Sequence, residues 1–266
     1  MKERTITAII AMAVFLPFVF YGGLPFIGLI YILATVGLYE TLKMRKLKLY
    51  SIPGFISVAL LWIFLIPRQY NEIIEQFGYS KIELAMLAVL LYLSYTVITK
   101  NEFNFDDVAF IVMAILYVGF GFYYFIETRS ADTGLTYVIY ALLIIWATDS
   151  GAYLIGRRLG KKKLWPLISP NKTVEGSIGG IVSAMIIAVA VFFLFEWSIS
   201  LPKLLVVTAI LSVFGQIGDL VESALKRHYS VKDSGHILPG HGGILDRFDS
   251  LLFVFPLLHL FVIIGG

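Results

Sequence analysis

SALKRHYSVKDSGHILPGHGGILDRFD, running from Ser223 to Asp249, is the stretch whose setting decides the fold. In a chain that is 59% hydrophobic, it gathers Lys226, Arg227, Lys232, Asp233, Asp246, Arg247 and Asp249 into 27 residues. It also holds His228, His236 and His241, three of the four histidines. An apolar run carrying Asp219 leads into it, and a second apolar run leads out. A loop this polar between two membrane-length segments, with cations and carboxylates interleaved, reads as a site for a multiply charged ligand at a bilayer surface. The rest of the chain reads as the scaffold that holds it there.

Working outward, the 266 residues are only 15% charged and have a mean hydropathy of +0.86. Soluble domains are about a quarter charged, so the chain is expected to be an all-α, polytopic membrane helix bundle. The absence of cysteine excludes disulfides, thiolate metal sites and cysteine nucleophiles. The N-terminal MKERTITAIIAMAVFLPFVFYGG imitates a signal peptide but shows no small-x-small cleavage site, and is read as a retained first helix.

Spans need roughly 20 mainly apolar residues, and nine segments qualify: about 5–21, 23–40, 52–67, 81–99, 107–126, 134–155, 174–195, 201–225 and 250–265. With the N-terminus placed in the cytoplasm, alternation leaves 17 of the 21 Lys and Arg residues inside. Arg68, Lys81, Arg129 and Lys203 fall outside. Basic residues concentrate on the cytoplasmic side, so the polar loop is expected to face the cytoplasm of a cell-membrane protein. The segment RQYNEIIEQFGYS (68–80) has Ile73, Ile74 and Phe77 at helical spacing, and is read as lying along the outer surface. Glu40 and the basic run after it read as an interfacial topology signal. Residues 1–100 look like chemically quiet scaffold, and 101–266 carry the chemistry.

From Asp149 onward the character changes. Asp149 precedes Arg157 by eight residues, which places it roughly 12 Å inside the basic boundary. A carboxylate at that depth pairs, binds a cation or faces water. Ser169-Pro170-Asn171-Lys172-Thr173 resembles a helix start, with Glu175 in the first turn. Asn171, Lys172 and Thr173 there offer donors to a phosphate, although capping and packing explain the same residues. Gly176 and Gly180, four apart, permit close helix contact. Ser212, Gln216, Asp219, Ser223 and Lys226 follow at spacings of 4, 3, 4 and 3, a polar stripe on one helical face with Glu222 beside it. Asp219 lies about 10 Å deep, matching Asp149, so the two point to a shared cavity; a polar helix–helix seam is the alternative. Gly242 and Gly243 let the backbone approach a ligand or turn sharply. Asp246 and Asp249, at i and i+3, repel unless a cation sits between them. All-oxygen donors favour Mg2+ over zinc.

The run Ser223-x-Leu225-Lys226-Arg227-x4-Lys232-Asp233-x-Gly235-x2-Leu238-Pro239-x-His241-Gly242-Gly243-Ile244-x-Asp246-Arg247-Phe248-Asp249 resembles the signature of the CDP-diacylglycerol synthases, or phosphatidate cytidylyltransferases. Asp149-Ser150-Gly151-Ala152-Tyr153 and Ser169 to Gly176 are similar to other recurring segments of that family; Asn171 departs from its usual basic or small residue. The resemblance covers about 150–249. It implies a homodimeric integral membrane enzyme that condenses CTP with phosphatidate, with no nucleic-acid partner. It further implies Mg2+, with room for a second, monovalent cation such as K+. Asp219, Asp246 and Asp249 would be the metal ligands, and Lys226, Arg227, Lys232 and Arg247 the phosphate binders. Ser223 belongs to the signature, and His241 as a general base is one option. A CTP-dependent lipid kinase and a cation- or proton-coupled transporter are the competing classes. A DGxxAR-type segment of the CDP-alcohol phosphotransferases is absent.

Overall fold

In the computed structural model, which describes residues 2–197 and 199–264, each of the nine apolar segments forms a helix over most of its described length. They are α1 (Lys2–Tyr21), α2 (Gly23–Met44), α3 (Ile52–Leu65), α5 (Lys81–Ile98), α6 (Phe105–Ser130), α7 (Gly134–Leu159), α8 (Val174–Leu194), α9 (Leu201–His228) and α10 (Leu245–Leu258). A short helix, α4 (Glu72–Glu75), precedes α5, and a π-helical turn, His259–Ile264, follows α10. Among the described residues, α2, α5, α6, α7, α8 and α9 are long and apolar enough to cross a membrane. The apolar part of α1 (Ile6–Tyr21), α3 and the 14-residue α10 are shorter.

Local chemistry sets the helix starts. Ser51 caps α3 by accepting from the Gly54 N–H, with Pro53 in the first turn. Ser80 with Glu83, and Asn104 with Asp107, form reciprocal capping boxes at the starts of α5 and α6.

Two expectations need correction. The all-α class fits, with one local exception: β1 (Lys163–Trp165) pairs antiparallel with β2 (Ser169–Thr173) in a bulged hairpin between α7 and α8. The stretch read as a helix start is therefore β2, and the cap proper is Thr173, whose Oγ1 accepts from the Gly176 N–H. Residues 68–80 also fail to make an amphipathic surface helix. α4 is four residues long, Ile74 is buried and Phe77 is 75% exposed, so no continuous apolar face forms. The side chain of Ile73 lies outside the described set.

One hydrophobic core runs through both halves of the chain, from Ile30 and Leu38 on α2 to Phe122 and Phe125 on α6 and Phe255 on α10. Phe125 stacks on Phe255 with ring centroids 3.9 Å apart. The helix ends meet in two groups. At one end Arg45 bonds Asp107 at 2.7 Å and Tyr229 at 3.4 Å, and Arg227 donates to the Ile168 carbonyl. At the other, Arg129 donates to the Val19 and Phe20 carbonyls, and Arg68 pairs with Glu127. The first group joins the loops expected to be cytoplasmic, and the second joins loops assigned to the opposite side.

Gly176 and Gly180 let α8 lie directly on α7, as their spacing indicates. A Cβ on Gly180 would sit 2.8 Å from the Thr148 carbonyl, and one on Gly176 2.8 Å from the Ala152 carbonyl. Both obstacles are backbone, so neither can rotate away. Gly180→Val is therefore expected to cost about 1–3 kcal/mol through overpacking, read as a lower unfolding temperature of the detergent-purified protein. An unchanged transition would mean that α7 and α8 do not pack this closely.

Candidate active site

The hairpin and the adjoining ends of α7, α8 and α9 enclose a cleft of about 480 Å3. Asp149, Arg157, Asn171, Lys172, Thr173, Gln216 and Asp219 line it, so carboxylates from two helices share a cavity as their matching depth implied. Lys172 reaches from β2 to Asp219, Nζ to Oδ2 at 2.6 Å, and Ser223 Oγ donates to Asp219 Oδ1 at 3.2 Å. Lys172 thus neutralises a carboxylate at the mouth where a phosphate was expected to bind.

The polar stripe of α9 divides along its length. Its inner part is a helix–helix seam, with the Ser212 hydroxyl against that of Thr148 at 2.9 Å and Gln216 Nε2 donating to the Ser177 carbonyl. Thr208, one turn before Ser212 and outside the expected stripe, continues the seam to the Tyr140 hydroxyl at 2.6 Å. In the outer part Asp219 lines the cleft, and Lys226 lies behind it. Cavity and seam were set as alternatives, and both occur.

Two expected substrate contacts also have partners within the fold. Thr173 is buried and its hydroxyl caps α8. Glu175 accepts the backbone N–H groups of Lys161 and Lys162, pinning the start of the hairpin to the first turn of α8. Asn171 remains exposed on the cleft wall.

Behind the cleft lies an arrangement that sequence reasoning missed. Glu40 was read as interfacial, but at only 1% exposed it is buried within the protein and faces no lipid headgroup. Its carboxylate accepts the N–H groups of Ile244 and Leu245, each at 3.0 Å, and the Ser234 hydroxyl at 3.1 Å. Asp246 complements it. Oδ1 takes Lys226 Nζ at 2.5 Å, while Oδ2 accepts Ser234 N–H, Ser234 O–H and Gly243 N–H, each at 2.8 Å. Lys226 also bonds Glu222 Oε2 at 2.9 Å. Lys226 is thus a buried cation between two carboxylates, not a free phosphate binder. The loop glycines follow from this packing: a Cβ on Gly243 would stand 2.3 Å from Glu40 Oε1, and one on Gly242 2.3 Å from Asp246 Oδ2. Their close approach is to internal carboxylates rather than to a ligand. The one sequence signal for Glu40 was a carboxylate inside an otherwise apolar helix, where a charge needs a partner.

Asp249 accepts the Ser250 N–H at 2.7 Å and lies within electrostatic reach of Asp219, Asp149 and Glu222. Asp149 and Asp249 form no ion pair among the described residues; Lys172 and Arg247 offset Asp149 at longer range. Glu222 Oε1 and the Tyr117 hydroxyl are buried there without hydrogen-bond partners. The site therefore holds more carboxylate than cation, with all donors oxygen, a composition that suits a hard divalent ion. No group of three or more His, Asp or Glu side chains among the described residues is assembled around one point, so Asp219, Asp246 and Asp249 do not form a ready-made cage. Asp246 already accepts four contacts, three on Oδ2 and one on Oδ1, with the Ser234 hydroxyl shared with Glu40.

Arg227, Lys232 and Arg247 are exposed on the loop and do not line the cleft. Arg227 donates to the Ile168 and Val231 carbonyls, and Arg247 Nε to the His241 carbonyl. His241 lies in the turn closed by Leu238 and Gly242, also away from the cleft lining.

Known proteins match nearly the whole chain. The cytidylyltransferase family profile matches residues 2–264. A phosphatidate cytidylyltransferase of Bacillus subtilis (strain 168) is 58% identical over 260 residues, 97% of this chain and 96% of that protein. Proteins of the same name from Staphylococcus haemolyticus (strain JCSC1435) and Staphylococcus aureus (strain COL) are 51% identical over 263 residues, 99% of each chain. With the profile spanning all the helices that build the cleft, and the carboxylate-rich loop braced behind it, the chain belongs to the cytidylyltransferase family and is a nucleotidyltransferase.

Proposed function

We propose that the chain condenses CTP with phosphatidate to give CDP-diacylglycerol and pyrophosphate. The observation that carries this reading is the cleft itself, where Asp149 and Asp219 share the wall with Lys172 of the hairpin and Arg157 of α7, at the ends of apolar helices. That its relatives are phosphatidate cytidylyltransferases supports the substrate pair. An oxygen of the lipid phosphate attacks the α-phosphorus of CTP, the bond from that phosphorus to the bridging oxygen breaks, and pyrophosphate leaves with the electron pair. Both reactants are anions, so the work is positioning and charge neutralisation.

Lys172 moves from Asp219 to an incoming phosphate, and Arg157 adds a second donor on the same wall. Arg227, Lys232 and Arg247, exposed outside the cleft, draw in the triphosphate. Asp219 and Asp249, with Asp246 if it releases one of its present donors, would hold Mg2+, and K+ would be a second ion of the same site. Bound there, the divalent ion neutralises phosphate oxygens and stabilises the leaving group. The phosphatidate dianion is itself the nucleophile, so His241 is not needed as a base. The same reading has nine traversals with the N-terminus and cleft cytoplasmic, a homodimer in the inner membrane, and residues 1–100 as scaffold apart from Glu40.

The test is turnover of purified protein with CTP, phosphatidate and Mg2+. Label at the α-phosphorus is expected in lipid; γ-label in lipid would establish a kinase, and substrate flux without CTP a transporter. Asp219→Asn and Asp249→Asn should each lose about 100-fold or more in kcat, with a raised Mg2+ requirement. Asp246→Asn should lose activity and stability together, because it disrupts the bonds to Lys226, Ser234 and Gly243. Near-normal turnover in all three would remove the metal assignment.

A further inference from the structure

We propose that the hairpin tip, Trp165–Ile168, is seated in the headgroup layer of an anionic bilayer, and that phosphatidate reaches the cleft beside it. Leu167 is 92% and Trp165 56% exposed, although both are large and apolar. Just before them Arg157, Arg158, Lys161, Lys162 and Lys163 place five exposed cations in seven residues with no carboxylate among them. An apolar tip under a band of positive charge complements an anionic lipid surface, and Trp favours the boundary between headgroups and acyl chains.

The fold puts the tip at that boundary. The hairpin joins α7 and α8, two of the helices long enough to span, so it emerges where both leave the membrane. It is also anchored there: the Ile168 carbonyl accepts from Arg227 at the end of α9, and Glu175 holds the Lys161 and Lys162 amides. Leu164, Asn171 and Lys172 of the same hairpin line the cleft. A lipid phosphate drawn to the basic band is therefore one strand's width from Lys172, with its tails still in the bilayer. This lipid route rests on the proposed function; the seating of the tip does not.

The chain has no cysteine, so Leu167→Cys and, separately, Trp165→Cys can each carry a single nitroxide on the full-length protein in nanodiscs of phosphatidylcholine with phosphatidylglycerol. Collisions with oxygen are expected to exceed those with a water-soluble nickel chelate at both positions. A nickel-dominated profile would overturn the seating. So would spin–spin broadening between two copies, which would make the tip a contact between protomers. For the route, Leu167→Asp should raise KM for phosphatidate in vesicles about five-fold or more, leaving KM for CTP unchanged. Equal KM values for the lipid would overturn the route even with the tip in contact with lipid. A wild-type protein that transfers nothing from CTP would sink the functional reading alone, since the nitroxide result would still decide the seating.

Discussion

Glu40→Ala is expected to abolish most of the activity of a residue-perfect catalytic cleft. The substituted side chain lies outside that cleft, on a helix that contributes nothing else to the site. Removing the carboxylate strips the acceptors from the Ile244 and Leu245 amides at once and leaves the Ser234 hydroxyl to Asp246 alone. A buried donor left without a partner costs about 1–3 kcal/mol, so the loop from Ser234 to Leu245 cannot keep its present course. Turnover should fall about 100-fold or more, with the start of α10 displaced and Asp249 with it. Protease cleavage within 230–244 should appear in the variant, together with a lower unfolding temperature. Glu40→Gln retains one acceptor oxygen but turns an amide N–H toward a donor, and should fall between the two. Wild-type turnover and an uncleaved loop in Glu40→Ala would show that Glu40 does not brace the loop.

Lys226→Met should be the most destabilising change in the site. Lys226 bonds Glu222 and Asp246 together, and the Glu222 side chain has no solvent exposure. Breaking a buried pair from one side costs about 3–5 kcal/mol, because the remaining charge is left uncompensated. Adding Glu222→Gln removes one of the two stranded charges, so the double variant should regain part of the lost stability. It should not regain activity, since Asp246 still lacks its cation and the loop it holds is loosened. Thermal unfolding of detergent-solubilised protein measures the first effect and CTP turnover the second. A loss below about 1 kcal/mol, the range of a solvent-exposed pair, would mean that Lys226 is hydrated and free to bind phosphate, as its place in the loop had implied.

Much of the fold was legible because its determinants are local. Apolar length predicts each helix, and the alternation of basic loops predicts which helix ends meet. The i, i+4 glycines predict the α7–α8 contact, which depends only on what one helix face presents. The hairpin at 163–173 was misread because Ser169 to Thr173 contains a good capping residue. Capping chemistry alone does not reveal that the four residues before it pair with a strand.

For the site, the sequence by itself determined the family, the charged loop, and the two carboxylates at equal depth that share the cleft. Only the tertiary structure decided which charges are spent internally. Glu40 meets Ile244 across 204 residues of chain, and no periodicity reports a partner that distant. Asp246 and Lys226 look like ligands in a row of letters, yet they bond each other, and Ser234, Gly243 and Glu222 already hold them. A residue's type gives the bonds it can make. Burial decides which of them it must make with its own chain, because an unpaired charge away from water is too costly to leave.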